Sequence, residues 1–403
     1  MMSIQRVILV VMDGCGVGAA PDYAQFGDFG VNRPDTIANT ARAVGGLKLP
    51  YLQSLGLGHI TQLYSPHKEV NPIGCYGKLR EISMGKDTVT GHWEMMGIHT
   101  EHPFPTYPDG FPPELVAAFE KAIGTPVLGN VAASGTEIIK QLGEEHVRTG
   151  RPILYTSADS VFQIAAHEKA FGLERLYECC RIAREMLVEP HNVQRVIARP
   201  FVGTSAASFT RTGNRKDFPL PAPPNVLDAL AEAGVKCHAI GVVGEVFAER
   251  GFYSGERSRN NHEHLEALLR ALDGEAKFIF ANFEDFDMLY GHRNNVEGFA
   301  RALIEFDGML GEVMARLHPT DLLILTADHG NDPTTPSTDH SREYAPLLVY
   351  SPSLAMGCDL GTRDTFADIG ATIAEVFGVR SPMGESFLQR LSLRTTGTPL
   401  FAD

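Results

Sequence analysis

The sequence predicts an α/β protein: a mostly parallel sheet covered by helices on both faces, interrupted by a second, inserted α/β domain. Three observations predict it. Short, continuously apolar runs such as Val7 to Val11 and Leu322 to Leu325 have the length and composition of strands buried on both faces. From Val226 onward such runs alternate with amphipathic stretches at helical spacing, the pattern of βαβ units. Two proline-rich joints, Pro103 to Pro113 and Pro219 to Pro224, bracket the middle of the chain. They divide it into a core formed by residues 1–100 and 222–403 and an inserted domain at residues 101–221.

Taken in order, Val7 to Val11 is the first strand and runs into Asp13-Gly14-Cys15-Gly16-Val17-Gly18. These glycines lack the spacing and the immediate helix start of a dinucleotide loop, because Pro21-Asp22 follows. Asp13 remains as a carboxylate at a strand end, a position that by itself reads as a turn or cap. Thr36 to Val44 is compatible with a helix stopped by Gly45-Gly46. Gly85-Lys86-Asp87-Thr88-Val89-Thr90-Gly91-His92-Trp93-Glu94 reads as a helix start in which Thr88 or Thr90 is the capping hydroxyl. Thr88, beside a lysine, is also a candidate nucleophile.

In the inserted segment, Glu114 to Ile123 and Ser134 to Leu142 read as helices, the second with Ser134 as N-cap. Pro152 to Thr156 and Val193 to Ala198 read as strands around a helix over Leu173 to Leu187. A basic loop, Thr210-Arg211-Thr212-Gly213-Asn214-Arg215-Lys216-Asp217, stands out in an acidic chain and suits phosphate contacts. Beyond Pro224 the order is helix Val226 to Ala233, strand Cys237 to Val243, helix His262 to Leu272, and strand Lys277 to Asn282. Helix Val296 to Leu317, strands Leu322 to Leu325 and Pro346 to Tyr350, and helix Asp364 to Phe377 complete it.

Composition narrows the function. The 403 residues are 43% hydrophobic and 21% charged, as in globular proteins, so disorder is not expected. A formal net charge of −14 argues against a nucleic-acid partner, and no apolar run long enough to span a membrane or form a signal peptide is present. The six cysteines form no regular framework, which fits a reduced, cytoplasmic setting.

The chemistry gathers after strands. Leu322 to Leu325 ends in Thr326-Ala327-Asp328-His329-Gly330, with His340 beyond a Thr/Pro turn, and Lys277 to Asn282 is followed by Asp287 and His292. Together with Asp13, three aspartates and three histidines follow strands of one sheet, at the end where open α/β sheets bind ligands. They suffice for two neighbouring three-ligand sites. The mixture of carboxylate and imidazole suits Zn²⁺ or Mn²⁺ better than Ca²⁺. Two such ions form a clamp for in-line phosphoryl transfer, with Thr88 as the attacking oxygen.

At the level of motifs the chain closely resembles the prokaryotic, metal-dependent phosphopentomutases of the alkaline phosphatase superfamily. The resemblance runs through Val10-Val11-Met12-Asp13, Gly85 to Glu94, Tyr155-Thr156-Ser157-Ala158-Asp159-Ser160, Arg195-Val196-Ile197-Ala198-Arg199-Pro200-Phe201, Phe209 to Thr212, and Thr326 to Gly330. It implies an alkaline-phosphatase-like three-layer core with an inserted α/β cap domain for substrate recognition. Asp13, Asp328 and His329 would hold one Mn²⁺ and Asp287, His292 and His340 the other, although further divalent ions are compatible. It also implies that Thr88 is phosphorylated during turnover and that Asp159, Arg195, Ile197 and Arg211 meet the pentose phosphate. The implied reaction interconverts ribose 1-phosphate and ribose 5-phosphate, or the 2-deoxy sugars, through a sugar bisphosphate. An activator such as ribose 1,5-bisphosphate or glucose 1,6-bisphosphate would prime it.

The chain departs from the family at Val242 and Val243, where a lysine and an isoleucine are usual, and again over Phe252 to Asn261. The first departure bears on sugar preference and leaves open a phosphomutase acting on another sugar phosphate. A metal-dependent phosphohydrolase on the same scaffold, and a sugar-phosphate sensor without turnover, are the other classes to separate from it.

Overall fold

The computed structural model describes residues 3–28, 33–65, 71–157 and 159–394. The chain folds as two compact units, residues 1–102 with 222–403, and residues 103–221.

The first unit opens with β1 (Arg6–Met12), α1 (Thr36–Ala43), α2 (Pro50–Ser54), β2 (Cys75–Leu79) and α3 (Thr88–Met95). The second unit follows with α4 (Pro113–Ile123), β3 (Leu128–Ala132), α5 (Gly135–Thr149), β4 (Ile153–Thr156), β5 (Val161–His167), α6 (Leu173–Met186), β6 (Arg195–Val202), β7 (Thr210–Arg211) and β8 (Lys216–Pro219). The chain returns to the first unit through α7 (Val226–Glu232), β9 (Cys237–Ile240), α8 (Val243–Val246), β10 (Ser254–Glu256), α9 (Asn261–Leu272) and β11 (Phe278–Phe283). It closes with α10 (Val296–Arg316), β12 (Asp321–Thr326), β13 (Ala345–Tyr350), β14 (Asp359–Arg363) and α11 (Ala367–Phe377).

The core sheet has the order β10-β9-β11-β1-β12-β13-β2-β14. Its first five strands are parallel, β13 runs antiparallel to both neighbours, and β14 pairs parallel with β2. The central strands β1, β11 and β12 are buried throughout, as their unbroken apolar runs require. One group of helices, α1, α2, α9 and α10, packs together, and a second, α3, α7, α8 and α11, packs separately, giving the expected three layers. The register matters most for function. Met12 pairs with Phe283 and Val11 with Thr326, so the segments after β1, β11 and β12 emerge side by side at one level.

In the second unit the sheet runs β3-β4-β5-β6-β7, with β8 also paired to β6. One face is covered by α4 and α6, with Phe162, Ile164, Val196 and Ala198 in that core; α5 packs Ile138 and Ile139 against Tyr155 and Phe201 on the other.

Several local expectations change. The strand expected over Cys237 to Val243 stops at Ile240, because Gly241 turns into the left-handed region at φ 73° and Val243 begins α8. Ser134 stands at the N-cap of α5, but its hydroxyl contacts Thr136 Oγ1 (3.0 Å) and makes no cap bond. The reduced-thiol expectation fails at one pair. Tyr76 N donates to Cys358 O beside the β2–β14 pairing, and this brings Cys75 and Cys358, 283 residues apart, into a disulfide. No helix among the described residues is long and apolar enough to cross a membrane.

Candidate metal centre

Asp13 is the first residue past β1, and its N–H still donates to Phe283 O (3.1 Å), so the ladder itself fixes its backbone. Gly14 then adopts φ 73°, where a Cβ would press on the side chains of Asn331 and Asp287. From the neighbouring strand, Asp328 and His329 enter the same space. Asp328 Oδ1 accepts from Gly14 N (3.2 Å) and His329 N (3.1 Å), which turns Oδ2 inward. His329 Nδ1–H donates to Gly330 O (3.1 Å), leaving Nε2 as the lone-pair nitrogen, 3.4 Å from both Asp13 Oδ1 and Asp328 Oδ2.

The second group comes from loops. After β11 the chain makes a wide helical turn, Phe286–Tyr290, that places Asp287, and then a short turn, Gly291–Arg293, that places His292. Asp287 Oδ2 lies 3.0 Å from His292 Nε2, and Asp287 Oδ1 lies 3.5 Å from His340 Nε2 and accepts from Asn331 Nδ2 (2.6 Å). His292 Nδ1–H donates to Thr338 O (2.7 Å), so the loop that carries His340 orients His292 as well.

All six predicted ligand residues therefore lie around one space, with one difference in grouping. Donor atoms of Asp13, Asp328 and His329 lie within 4.8 Å of one another, and so do those of Asp287, His329 and His340. His329 thus stands between the two groups, while His292 reaches the second through Asp287.

The donor set fits divalent cations on two counts. Asp13 Oδ1 and Asp328 Oδ2 are buried acceptors without a hydrogen-bond partner, a costly arrangement that a cation relieves. The charges also lack balance. Burial, together with Asp328 and Asp287, pushes Asp13 well above the ordinary carboxylate range. Burial pushes Asp287 up too, but hydrogen bonds from His292 and His340 outweigh it and hold the group well below that range. The same Asp287 contact lifts His292 to about 9. Carboxylates and histidines that oppose one another in this way are what a site built for positive charge presents.

Thr88 is placed by the helix it begins. Asp87 caps α3, its Oδ1 accepting from Val89 N (3.0 Å) and Thr90 N (3.3 Å), and Thr90 Oγ1 accepts from Asp87 N (3.3 Å). The cap is thus filled by Asp87 and Thr90. Thr88 Oγ1 instead lies 3.4 Å from His329 Nε2. A Cβ at Gly91 would collide with Asp328 O, so the bare glycine lets α3 approach the metal loop this closely.

Sequence reasoning missed the residues that hold the ligands. His92, one turn after Thr88, donates from Nδ1 to Thr88 O (2.9 Å) and lies 3.4 Å from Asp328 Oδ2; its spacing of four from Thr88 was the available signal. Asn282 Nδ2 donates to Asp13 Oδ2 (2.7 Å). Glu343 gathers Thr36 N (2.9 Å), Thr36 Oγ1 (2.7 Å) and Ser341 Oγ (2.7 Å), and burial together with Asp332 pushes it up to about 8.

The predicted substrate residues lie in the second unit. Asp159 is exposed in the turn before β5, and Val161 pairs with Arg195. Arg195 and Ile197 share one face of β6, with Asp217 across from Ile197 and 3.6 Å from Arg195 Nη1. Arg211, on β7 opposite Phe201, has its guanidinium over Gly135 at the start of α5.

The chain matches the Metalloenzyme superfamily over residues 5–381. It is 56% identical to a phosphopentomutase of Caldanaerobacter subterraneus subsp. tengcongensis over 97% of this chain and 99% of that one, and 53% identical to a phosphopentomutase of Symbiobacterium thermophilum over 97% and 100%. The chain belongs to the phosphopentomutase family. Membership makes it a phosphomutase, an enzyme of the isomerase class, and the metalloenzyme match goes with a dependence on divalent metal. Among solved structures, PH0037 of Pyrococcus horikoshii is similar at 14% identity, covering 95% of this chain and 100% of that one with a TM-score of 0.49.

Proposed function

We propose that the chain interconverts ribose 1-phosphate and ribose 5-phosphate, and the 2-deoxyribose equivalents, by passing the phosphoryl group through Thr88 and a sugar bisphosphate. The observation that carries this reading is the Thr88 hydroxyl, left out of its own helix cap and set 3.4 Å from His329 Nε2.

Asp13, Asp328 and His329 would hold one Mn²⁺ and Asp287, His292 and His340 a second, with His329 between the groups. When bound, two such ions supply positive charge to the transferring phosphoryl group and lower the pKa of a nearby hydroxyl. The chain's own residues do the rest. Because α3 begins at Thr88, a phosphate there would lie at the positive end of the helix dipole. His92 donates to Thr88 O from the same Nδ1 that lies 3.4 Å from Asp328 Oδ2, which holds the start of α3 beside Asp328. Primed phospho-Thr88 gives its phosphoryl group to the free hydroxyl of the pentose phosphate, the Thr88 Oγ1–P bond breaking as the sugar O–P bond forms and the sugar bisphosphate results. Thr88 Oγ1 then bonds to the phosphorus at the other end as that sugar oxygen leaves, and phospho-Thr88 is regenerated. Ribose 1,5-bisphosphate or glucose 1,6-bisphosphate would load Thr88 for the first turnover.

Arg195 and Arg211 supply the guanidinium forks for the remaining phosphate of the pentose, with Asp159 and Ile197 beside the sugar. This inserted domain is the substrate-recognition cap, and the small-molecule chemistry and net charge suit a cytoplasmic enzyme without a nucleic-acid partner. The test is to supply ribose 1-phosphate with Mn²⁺ and a trace of bisphosphate, measuring ribose 5-phosphate and inorganic phosphate together. Isomer formation without matching phosphate release is expected; predominant phosphate release would make the enzyme a phosphohydrolase.

A further inference from the structure

Arg342 lies two residues beyond His340, and the reaction proposed for Thr88 gives it no part. Only 1% of its side chain is exposed, yet it is fully engaged. Nη1 donates to Ser83 O (2.8 Å) and Gly85 O (2.6 Å) and pairs with Glu81 Oε2 (2.6 Å). Nη2 donates to Glu81 O (2.7 Å) and Asp22 Oδ2 (3.0 Å), and Nε to Asp22 Oδ1 (3.3 Å). Its backbone N–H donates to Asp28 Oδ2 (2.7 Å), and the other oxygen of Asp28 accepts from Lys86 Nζ (2.9 Å).

Three of these acceptors are main-chain carbonyls of a single segment, Glu81 to Gly85, which leads directly into the helix that begins at Thr88. A buried guanidinium needs acceptors, but side-chain carboxylates alone would satisfy that need; a planar fork on three carbonyls at alternate positions dictates the path of a loop. The other end of this tether is equally fixed. Ser341, next to Arg342, exchanges both backbone hydrogen bonds with Gly330 (2.7 and 3.0 Å), which follows His329. One short stretch therefore holds His340, pairs with the His329 loop and grips the approach to Thr88.

The geometry points to Arg342 as a positioning residue for phosphoryl transfer, holding the Glu81–Gly85 segment, and through it the Thr88 hydroxyl, in register with the metal-ligand loop. This rests on the reading of Thr88 as the phosphorylated residue. Lys86, tied to the same Asp28, is held by the same device.

Two variants test it by rapid-quench measurement of Thr88 phosphorylation from ribose 1,5-bisphosphate. Arg342→Lys keeps the charge and loses the fork. Asp22→Asn weakens the clamp from its partly exposed end without opening the interior. Misplacing a nucleophile by about 1 Å costs on the order of 100-fold, so phosphorylation and kcat are expected to fall together by about that factor in Arg342→Lys and by about 5-fold in Asp22→Asn. KM for ribose 1-phosphate and calorimetric Mn²⁺ affinity should stay within about 3-fold, which a merely structural role would not preserve. Phosphorylation undiminished in a folded Arg342→Lys protein, or lost only in step with folded fraction or Mn²⁺ affinity, overturns the inference. Should Arg342→Lys fail to fold, an unchanged rate in Asp22→Asn overturns it and a reduced rate at intact metal affinity supports it. A wild-type enzyme that never carries phosphate on Thr88 is a separate result: it overturns the nucleophile assignment, and this inference with it.

Discussion

The two ligand groups share one space but are built differently. Asp13, Asp328 and His329 are held by strand ends, with the ladder bond from Asp13 N to Phe283 O and two N–H groups on Asp328 fixing their backbone and oxygens, and their side chains are no more than 5% exposed. Asp287, His292 and His340 sit on turns, His292 is 37% exposed, and their orientation rests on one another, on Asn331 and on Thr338. Strand ends move little because each is bonded to its neighbours along its length. Turns hold a geometry only as well as their few contacts allow. The first group is accordingly the more firmly held, and the second the more open to solvent.

The largest expected effect separates the halves. Asp328→Asn should lower kcat by at least about 10³-fold at any Mn²⁺ concentration, since no water can enter to replace a fully buried ligand; recovery of activity in high Mn²⁺ would break the comparison. In the turn-borne half, His292→Ala should raise the Mn²⁺ requirement about 10- to 100-fold, with kcat largely restored at saturation because solvent reaches that position. A kcat deficit that persists at saturating Mn²⁺ would show that this half is as firmly held as the other. Asn282→Leu, which removes only the donor on Asp13 Oδ2, should weaken Mn²⁺ binding about 10-fold, as outer-shell partners commonly do, and calorimetry would read it directly.

The smallest effect is on stability and lies behind the turn-borne half. Asp307, on the helix that follows His292, accepts from Tyr51 N (3.2 Å) and Leu52 N (2.8 Å), and burial raises it from 3.8 to about 6. A carboxyl whose pKa is raised on folding favours the folded state below its unfolded pKa and loses that contribution as pH rises through the folded value. The melting temperature should therefore decline between pH 4 and pH 6 by a few degrees, and Asp307→Asn should flatten that slope. An unchanged slope in the variant would place the pH dependence elsewhere.

The same contrast governs what the sequence made legible. The strands before Asp13 and Asp328 are continuous apolar runs that stop at their ligands, so both strand and chemistry could be read from residue type. The gathering of Asp287, His292 and His340 into the same space depends on the register of β1 against β11 and β12, which no local pattern encodes. Strands β2 and β14 escaped notice because Cys75–Leu79 contains Gly77 and Lys78 and Asp359–Arg363 is largely exposed; the Cys75–Cys358 pair was hidden with them. Strand β5, Val161–His167, is apolar enough to be read but follows β4 after a turn too short to signal a boundary. At Thr88 the sequence offered capping and catalysis as parallel roles. Only the geometry of Asp87 and Thr90 shows that the cap is already filled.

The account turns on that hydroxyl, and the most direct measurement is to map the phosphorylated residue by mass spectrometry after exposing the Mn²⁺-loaded enzyme to ribose 1,5-bisphosphate. Phosphate on Thr88, discharged when ribose 5-phosphate is added, is the predicted result. Phosphate on another residue, or full turnover with no covalent phosphate at any time, would contradict it.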